Sequence, residues 1–283
     1  MRLPRVSFAL VATLVAACSE SPTGNPKTNT PPPLAYVRYY NAVGDTLPLD
    51  FRPIDNVEFS SPFLATPFRA QGLGGYQGYS TGARRIRVFP NSTDLATTTS
   101  ILADTTVTLS AGVYYTFTHV GYARAGAAPR QKLWITVDSF PAVASGSIAF
   151  RVAHVGADLG NVDVYVTTAA TDPLPAAPTF ANVSFQSLTA YAQRPAGAFV
   201  ARVYAVGDRA TALVAATTMS AGTPGDNFFN PIGGSDQSGS VATVMVYSKA
   251  TAGSTAAITT GTNANLTPKI YFWIDKQPPQ TAP

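Results

Sequence analysis

Lys132-Leu133-Trp134-Ile135-Thr136-Val137-Asp138 and Lys269-Ile270-Tyr271-Phe272-Trp273-Ile274-Asp275 are two runs of β-branched and aromatic residues, each opened by a lysine and closed by an aspartate. Such residues fit a pleated, half-buried surface, so each run reads as a strand. The pair is part of a longer correspondence. Arg38 and Asp50 match Arg151 and Asp163 at the same separation. Gln71, Leu73, Tyr76, Gly82, Arg87 and Val88 line up without a gap against Gln186, Leu188, Tyr191, Gly197, Arg202 and Val203. Leu109-Ser110-Ala111-Gly112 then matches Met219-Ser220-Ala221-Gly222. Blocks recurring in the same order are the signature of an internal repeat. The expectation is two tandem copies of one domain, residues 34–141 and 142–276, joined by a Pro/Ala/Ser/Gly linker and followed by a C-terminal tail, 277–283. The second copy is longer by a polar, Gly-rich insertion, Thr223 to Ser240, which reads as an exposed loop.

The rest of the chain carries the same strand pattern. Tyr36 to Tyr40, Arg85 to Phe89, Thr106 to Leu109 and Val113 to Val120 are short runs separated by Gly, Pro, Asn and Asp. In Thr106 to Leu109 the valine and leucine alternate with threonines, which puts Val107 and Leu109 toward a core. No segment has a convincing helical period; Ala210 to Ala216 comes nearest, and Thr217-Thr218 weakens it. Many short strands with turns between them predict an all-β protein of two antiparallel β-sandwiches.

The N-terminus has a different character. Arg2 and Arg5 precede an apolar run from Val6 to Ala17, and Val15-Ala16-Ala17-Cys18 ends it. This is the layout of a secretory signal peptide, residues 1–17, with the look of a bacterial lipobox, so Cys18 is the expected lipidation site and the expected partner is a membrane. Ser19 after the cysteine favours an outer membrane if the host has one. Residues 18–33, rich in Ser, Thr, Asn, Gly and Pro, read as a disordered tether. Cys18 is the only cysteine, so no internal disulfide is available and stability must come from a core. A chain that is 46% hydrophobic and 12% charged allows one. The net charge of +4 is scattered, and the one dense group, Arg84-Arg85-Ile86-Arg87, is too narrow for a nucleic-acid surface.

At the matched residues the chain resembles a bacterial cell-envelope and surface domain with no assigned biochemical function. The second copy carries the likeness best, in Ala149-Phe150-Arg151-Val152-Ala153-His154-Val155, Asn161-Val162-Asp163-Val164-Tyr165-Val166, Pro195-Ala196-Gly197, Arg202-Val203-Tyr204 and Ser220-Ala221-Gly222. The first copy departs from it, with Asn41 in place of His154 and Leu49-Asp50-Phe51 in place of Val162-Asp163-Val164. The resemblance implies immunoglobulin-like β-sandwiches and is silent on activity.

Arg38 with Asp50, and Arg151 with Asp163, are the candidate site residues: each pair is either a structural ion pair between neighbouring strands or part of a ligand site. Tyr76 and Tyr191 read as partly buried at a sheet edge. His119 and His154 do not match each other and lack metal-ligand spacing, so no metal or other cofactor is expected. No serine sits in Gly-x-Ser-x-Gly, and the glycine-rich Gly72 to Gly78 lacks the lysine of a phosphate loop. These readings together lead to a non-enzymatic, lipid-anchored cell-envelope protein that binds a protein or surface polysaccharide, with a carbohydrate-binding module as the alternative on account of the tyrosines.

Overall fold

The computed structural model describes residues 32–55, 63–94, 96, 99–258 and 264–280. Its most telling strand is Val241–Tyr247, in which every residue is buried although the sequence does not alternate. A strand buried on both faces needs no polar side. Ala242, Val244 and Val246 point into one core, while Met245 and Tyr247 point into another.

The N-terminal half contains β1 (Leu34–Asn41), β2 (Leu49–Pro53), β3 (Ala70–Gln71), β4 (Gln77–Ser80), β5 (Gly82–Pro90), β6 (Ala103–Leu109), β7 (Tyr114–Val120) and β8 (Lys132–Asp138). The C-terminal half contains β9 (Ser147–His154), β10 (Val162–Thr167), β11 (Phe180–Val183), β12 (Ser187–Leu188), β13 (Ala192–Pro195), β14 (Val200–Ala205), β15 (Ala212–Thr218), β16 (Val241–Tyr247) and β17 (Lys269–Lys276). One sheet runs β3-β1-β7-β8 with β4 also on β1, and it faces the sheet β2-β5-β6. The other half follows the same connectivity: β12-β9-β16-β17 with β13 on β9, facing β11-β10-β14-β15. The fold is thus nearly all β and built as two sandwiches. The alanine-rich stretch that came nearest to a helix lies largely in β15.

Among the described strands two pairings are parallel, β1 with β7 and β9 with β16. The chain leaves the first sheet after β1, builds the facing sheet with β2, β5 and β6, and returns beside β1 in the same direction, as a parallel pair requires. The halves also differ in one turn. Asn41 pairs with Ala70 and Val37 with Gln77, whereas His154 pairs with Ser187 and Phe150 with Ala192, so the β3–β4 turn is longer than its counterpart. Gln71 therefore stands where Leu188 does, while Tyr76 and Tyr191 still correspond.

Three cores follow from this layout. Tyr39, Phe51, Phe63 and Phe117 centre the N-terminal sandwich. Phe150, Val164, Phe199 and Val244 centre the C-terminal one. A third lies between them, where Tyr40, Val120 and Trp134 meet Ala153, Met245, Tyr247 and Trp273. The outer faces of β1-β7-β8 and β9-β16-β17 are thus packed on each other, which gives four layers of sheet. Contacts at two heights fix their sense: Arg38, in the middle of β1, lies beside Asp275, which sits next to the start of β16, and Gly44, just past β1, lies against Lys249 and Ala250, just past β16. A Cβ on Gly44 would fall 3.1 Å from the Lys249 carbonyl oxygen, so glycine permits the close approach. β1 and β16 therefore run the same way, and Leu34 starts at the same end as Ser147 and Val241.

Phe117 is fully buried, with its ring edge-on to Phe51 at 5.1 Å. Phe117→Ala is expected to cost about 3–5 kcal/mol in urea unfolding, whereas Val137→Ala, at a position 61% exposed, should change stability by no more than about 0.5 kcal/mol.

Candidate functional site

Between the two sandwiches the fold gathers Arg38, Thr116 and Asp138 from one half and Arg151, Thr243 and Asp275 from the other, all buried. Position on the strand explains why. On β1 the odd neighbours Val37 and Tyr39 fill the sandwich core, so Arg38 must point to the opposite face, and Arg151 does the same between Phe150 and Val152 on β9. Both guanidinium groups are largely withdrawn from solvent, so each must find acceptors within the protein.

The acceptors come from both halves. Arg38 Nη2 lies 2.8 Å from Asp275 Oδ1 and 3.7 Å from Asp138 Oδ2. Arg151 Nη2 donates to Asp138 Oδ1, and its Nε lies 3.6 Å from Asp275 Oδ2. Each arginine thus makes its closer ion pair with the aspartate of the other half. A threonine completes each arrangement: Arg38 Nε donates to Thr116 Oγ1 at 2.7 Å and Thr116 donates to Asp138, while Arg151 Nε donates to Thr243 Oγ1 at 2.9 Å and Thr243 donates to Asp275 at 2.6 Å. The Tyr76 hydroxyl donates to Asp138 and the Tyr191 hydroxyl to Asp275, both at 2.7 Å. Their rings cover the guanidinium groups, Arg38 Cζ at 4.4 Å and Arg151 Cζ at 4.6 Å from the ring centres.

The electrostatics keep both arginines charged and both phenols protonated. Burial alone would lower the Arg38 pKa, but Tyr40, Asp275, Tyr76 and Asp138 outweigh it and hold the value above that of an ordinary arginine. Arg151 is raised in the same way, against burial, by Asp275, Tyr191 and Asp138. Burial pushes the Tyr76 and Tyr191 phenols up, so they remain donors. Two cations and two carboxylates leave the cluster neutral. A cavity of about 10 Å³ beside it is lined by Arg38, Arg151, Thr118, Trp134, Leu188 and Met245. That is room for about one water molecule, not for an organic ligand. Arg38 Nη1 has no hydrogen-bond partner among the described residues, so a water there would have a donor to meet.

This arrangement corrects the expected pairing of Arg38 with Asp50 and of Arg151 with Asp163. β2 and β10 belong to the facing sheets, so those carboxylates lie across a sandwich core from the arginines. Asp50 accepts from the Ala65 amide at 2.8 Å, Asn91 at 2.9 Å and Arg52 at 2.9 Å. Asp163 accepts from the Asn182 amide at 2.8 Å and the Gly207 amide at 3.1 Å. Ala65 and Asn182 both have positive φ, 48° and 51°, a conformation unfavourable for residues with a Cβ. The two aspartates therefore hold strained backbone, beside β2 in one half and at an irregular stretch of β11 in the other. Asp138 and Asp275, the true partners, close the matched runs that open with Lys132 and Lys269, and that match is the signal of them in the sequence. Thr116 and Thr243 gave none. Cys18 lies outside the described residues.

The histidines also have structural partners. His154 Nε2 donates to Gly160 O at 2.7 Å and its Nδ1 accepts from the Gly156 amide at 3.2 Å, a pattern only the neutral ring can make. Asn41, its counterpart, donates to Thr66 O at 3.0 Å and accepts from the Val43 amide at 3.0 Å. The substitution between the halves thus keeps the acceptor for the amide two residues on, while the donor meets a different carbonyl in each half. His119 is fully buried against Gln131. The described residues contain no group of three or more His, Cys, Asp or Glu able to hold a metal.

Two outcomes follow. Arg38→Met or Asp275→Asn alone strands a buried charge and should cost about 3–5 kcal/mol; the double variant should cost clearly less than the sum, as a double-mutant cycle by urea unfolding will measure. Burial pushes the His119 pKa down to about 4 and lowers that of His154. An unfolded histidine titrates near 6.5, so between about pH 6.5 and 4 the unfolded chain binds more protons and stability falls as pH falls, by up to about 3 kcal/mol for His119. Urea midpoints at pH 7 and 4.5 should show this loss, and His154→Asn should reduce it while leaving pH 7 stability within about 1 kcal/mol.

Residues 35–165 match the model of DUF4397, a domain of unknown function, a span that takes in Arg38, Asp138 and Arg151 and stops before Thr243 and Asp275. No curated protein matches the chain. A solved structure described as "Alpha-glucan binding by a streptococcal virulence factor" is similar over 75% of this chain and 92% of that one, at 12% identity and a TM-score of 0.22, a level at which the likeness carries no argument about function. A DUF4397 domain is thus found in a chain of two β-sandwiches, and the family description assigns it no activity.

Proposed function

We propose that the chain is a non-enzymatic binding protein of the cell envelope, held at a membrane by lipid on Cys18 and built from two copies of one domain that act as a single rigid body. In a host with two membranes the anchor would sit in the outer one, and the partner is an envelope protein or a surface polymer. The observation that carries this reading is that the polar groups the fold brings together are sealed and committed to each other: Arg38, Arg151, Asp138 and Asp275 form ion pairs with side chains at most 6% exposed. Groups spent in this way hold sheets in register and are not open to a substrate. A body stiffened from inside presents its loops and sheet edges in fixed positions, which lowers the entropic cost of binding.

A second reading, a carbohydrate-binding module, has one observation in its favour. Tyr36 and Tyr114 stack at 4.6 Å and 16°, and Tyr76 and Phe140 pack edge-on to Tyr114 at 5.0 and 5.1 Å. These rings are only partly buried and form a rigid aromatic surface near the start of β1.

Two experiments test the proposal. Cells given radiolabelled palmitate should label the full chain, and Cys18→Ser should abolish the label and release the protein from membranes; a labelled Cys18→Ser protein would refute the anchor. Cross-linking in intact envelopes should capture one defined partner. Retention on purified envelope polysaccharide that is lost in Tyr36→Ala/Tyr114→Ala would favour the carbohydrate reading instead.

A further inference from the structure

Phe228 and Phe229 are 88% and 71% exposed, adjacent in sequence, and held on a turn that gives them little freedom to fold back. Thr223 and Ile232 exchange backbone hydrogen bonds at 2.9 Å, which makes residues 223–232 a hairpin. At its tip Asp226 Oδ1 accepts from the amides of both Phe228 and Phe229 at 2.7 Å, and the Asp226 amide donates to Phe229 O at 3.0 Å. At its base the Gly222 and Gly234 backbones touch, since a Cβ on Gly234 would fall 2.2 Å from Gly222 N, and Ser235 donates to Ser220 O at 2.8 Å. Ile232, 59% exposed, extends the apolar surface. An ordered turn that holds two aromatic rings out in water has a standing hydrophobic cost, which is expected only where something covers them.

The place of the hairpin indicates what does. Its base is bonded to Gly197 and to Ser147, through Ser235 and Gly239, at the end of the molecule where β9 and β16 begin. β1 begins at the same end, so Leu34, its first residue, and the base of the hairpin share one end of the sandwiches. The hairpin carries no basic residue, and Asp226, one of the two acidic residues between Thr223 and Ser240, is used in the turn. The one charge at the tip is thus engaged in the turn, and the larger exposed feature there is the pair of apolar rings.

We propose that the 223–232 hairpin is a second membrane contact, inserting Phe228 and Phe229 into the headgroup and upper acyl region of the bilayer that holds the lipid on Cys18. This rests on the anchoring reading above. The acyl chains keep the hairpin close to the surface, so even weak insertion is favoured by effective concentration, and the insertion in turn orients the sandwiches.

The test uses the full, lipidated chain carrying Phe228→Trp in vesicles of neutral phosphatidylcholine brominated high on the acyl chains. The introduced indole should be quenched about twofold or more relative to unbrominated vesicles, since aromatic side chains of interfacial segments reach about 5–10 Å into that boundary. The protein without the substitution supplies the background from Trp134 and Trp273. An anchored protein whose introduced emission is unquenched and water-like overturns the proposal; unquenched emission that shifts blue with protein concentration also overturns it and assigns the hairpin to a second copy of the chain. Failure of the anchoring reading appears separately, as absence of acyl label and of vesicle association in the same preparation.

Discussion

Two arginines buried against the same pair of aspartates are tolerable only if each meets a carboxylate, and in this protein the nearer carboxylate of each belongs to the opposite sandwich. Exchange of this kind couples the halves more strictly than apolar contact does. An apolar interface between two sheets can slide by a residue at modest cost, but a slide here would separate Arg38 from Asp275 and Arg151 from Asp138 together and leave four charges unpaired away from water. The contribution is therefore to register more than to net stability, because well-packed apolar residues in the same places would be about as stabilising. Thr116, Thr243, Tyr76 and Tyr191 complete the device: the threonines accept from the arginine Nε groups, and the phenols donate to the aspartates.

Much of the strand content was readable from the residues themselves. Runs such as Leu133 to Val137 and Ile270 to Ile274 have the composition of strands, and in the structure alternate members of each turn toward a sandwich core. Pairing was less legible. Arg38 and Asp50 are close in sequence and recur together as Arg151 and Asp163, which suggested contact between neighbouring strands; the chain instead crosses to the facing sheet between them, and periodicity does not report a crossover. The parallel pairing of β1 with β7 was hidden for the same reason. The change from Asn41 to His154 looked like a departure, yet a short amide and an imidazole each place one acceptor and one donor at the end of the strand. What decided these cases was hydrogen-bonding capacity and three-dimensional connectivity, neither of which follows from local pattern.

Inside and outside divide the work. The interior holds nearly every feature that would draw attention as chemistry, including both histidines and the arginine–aspartate cluster, and each has a partner that explains it. The surface holds features that water does not favour: the Tyr36–Tyr114 stack and the Phe228–Phe229 tip. Both lie toward the end at which β1 starts. A rigid interior and an apolar surface at one end are the two features on which the proposed function rests.

The central claim, that the exchanged ion pairs make one cooperative body of the two sandwiches, is tested most directly by differential scanning calorimetry of the full chain at neutral pH. The account predicts a single transition whose calorimetric and van't Hoff enthalpies agree, with a ratio of about 1. Two resolved transitions, one for each sandwich, would contradict it.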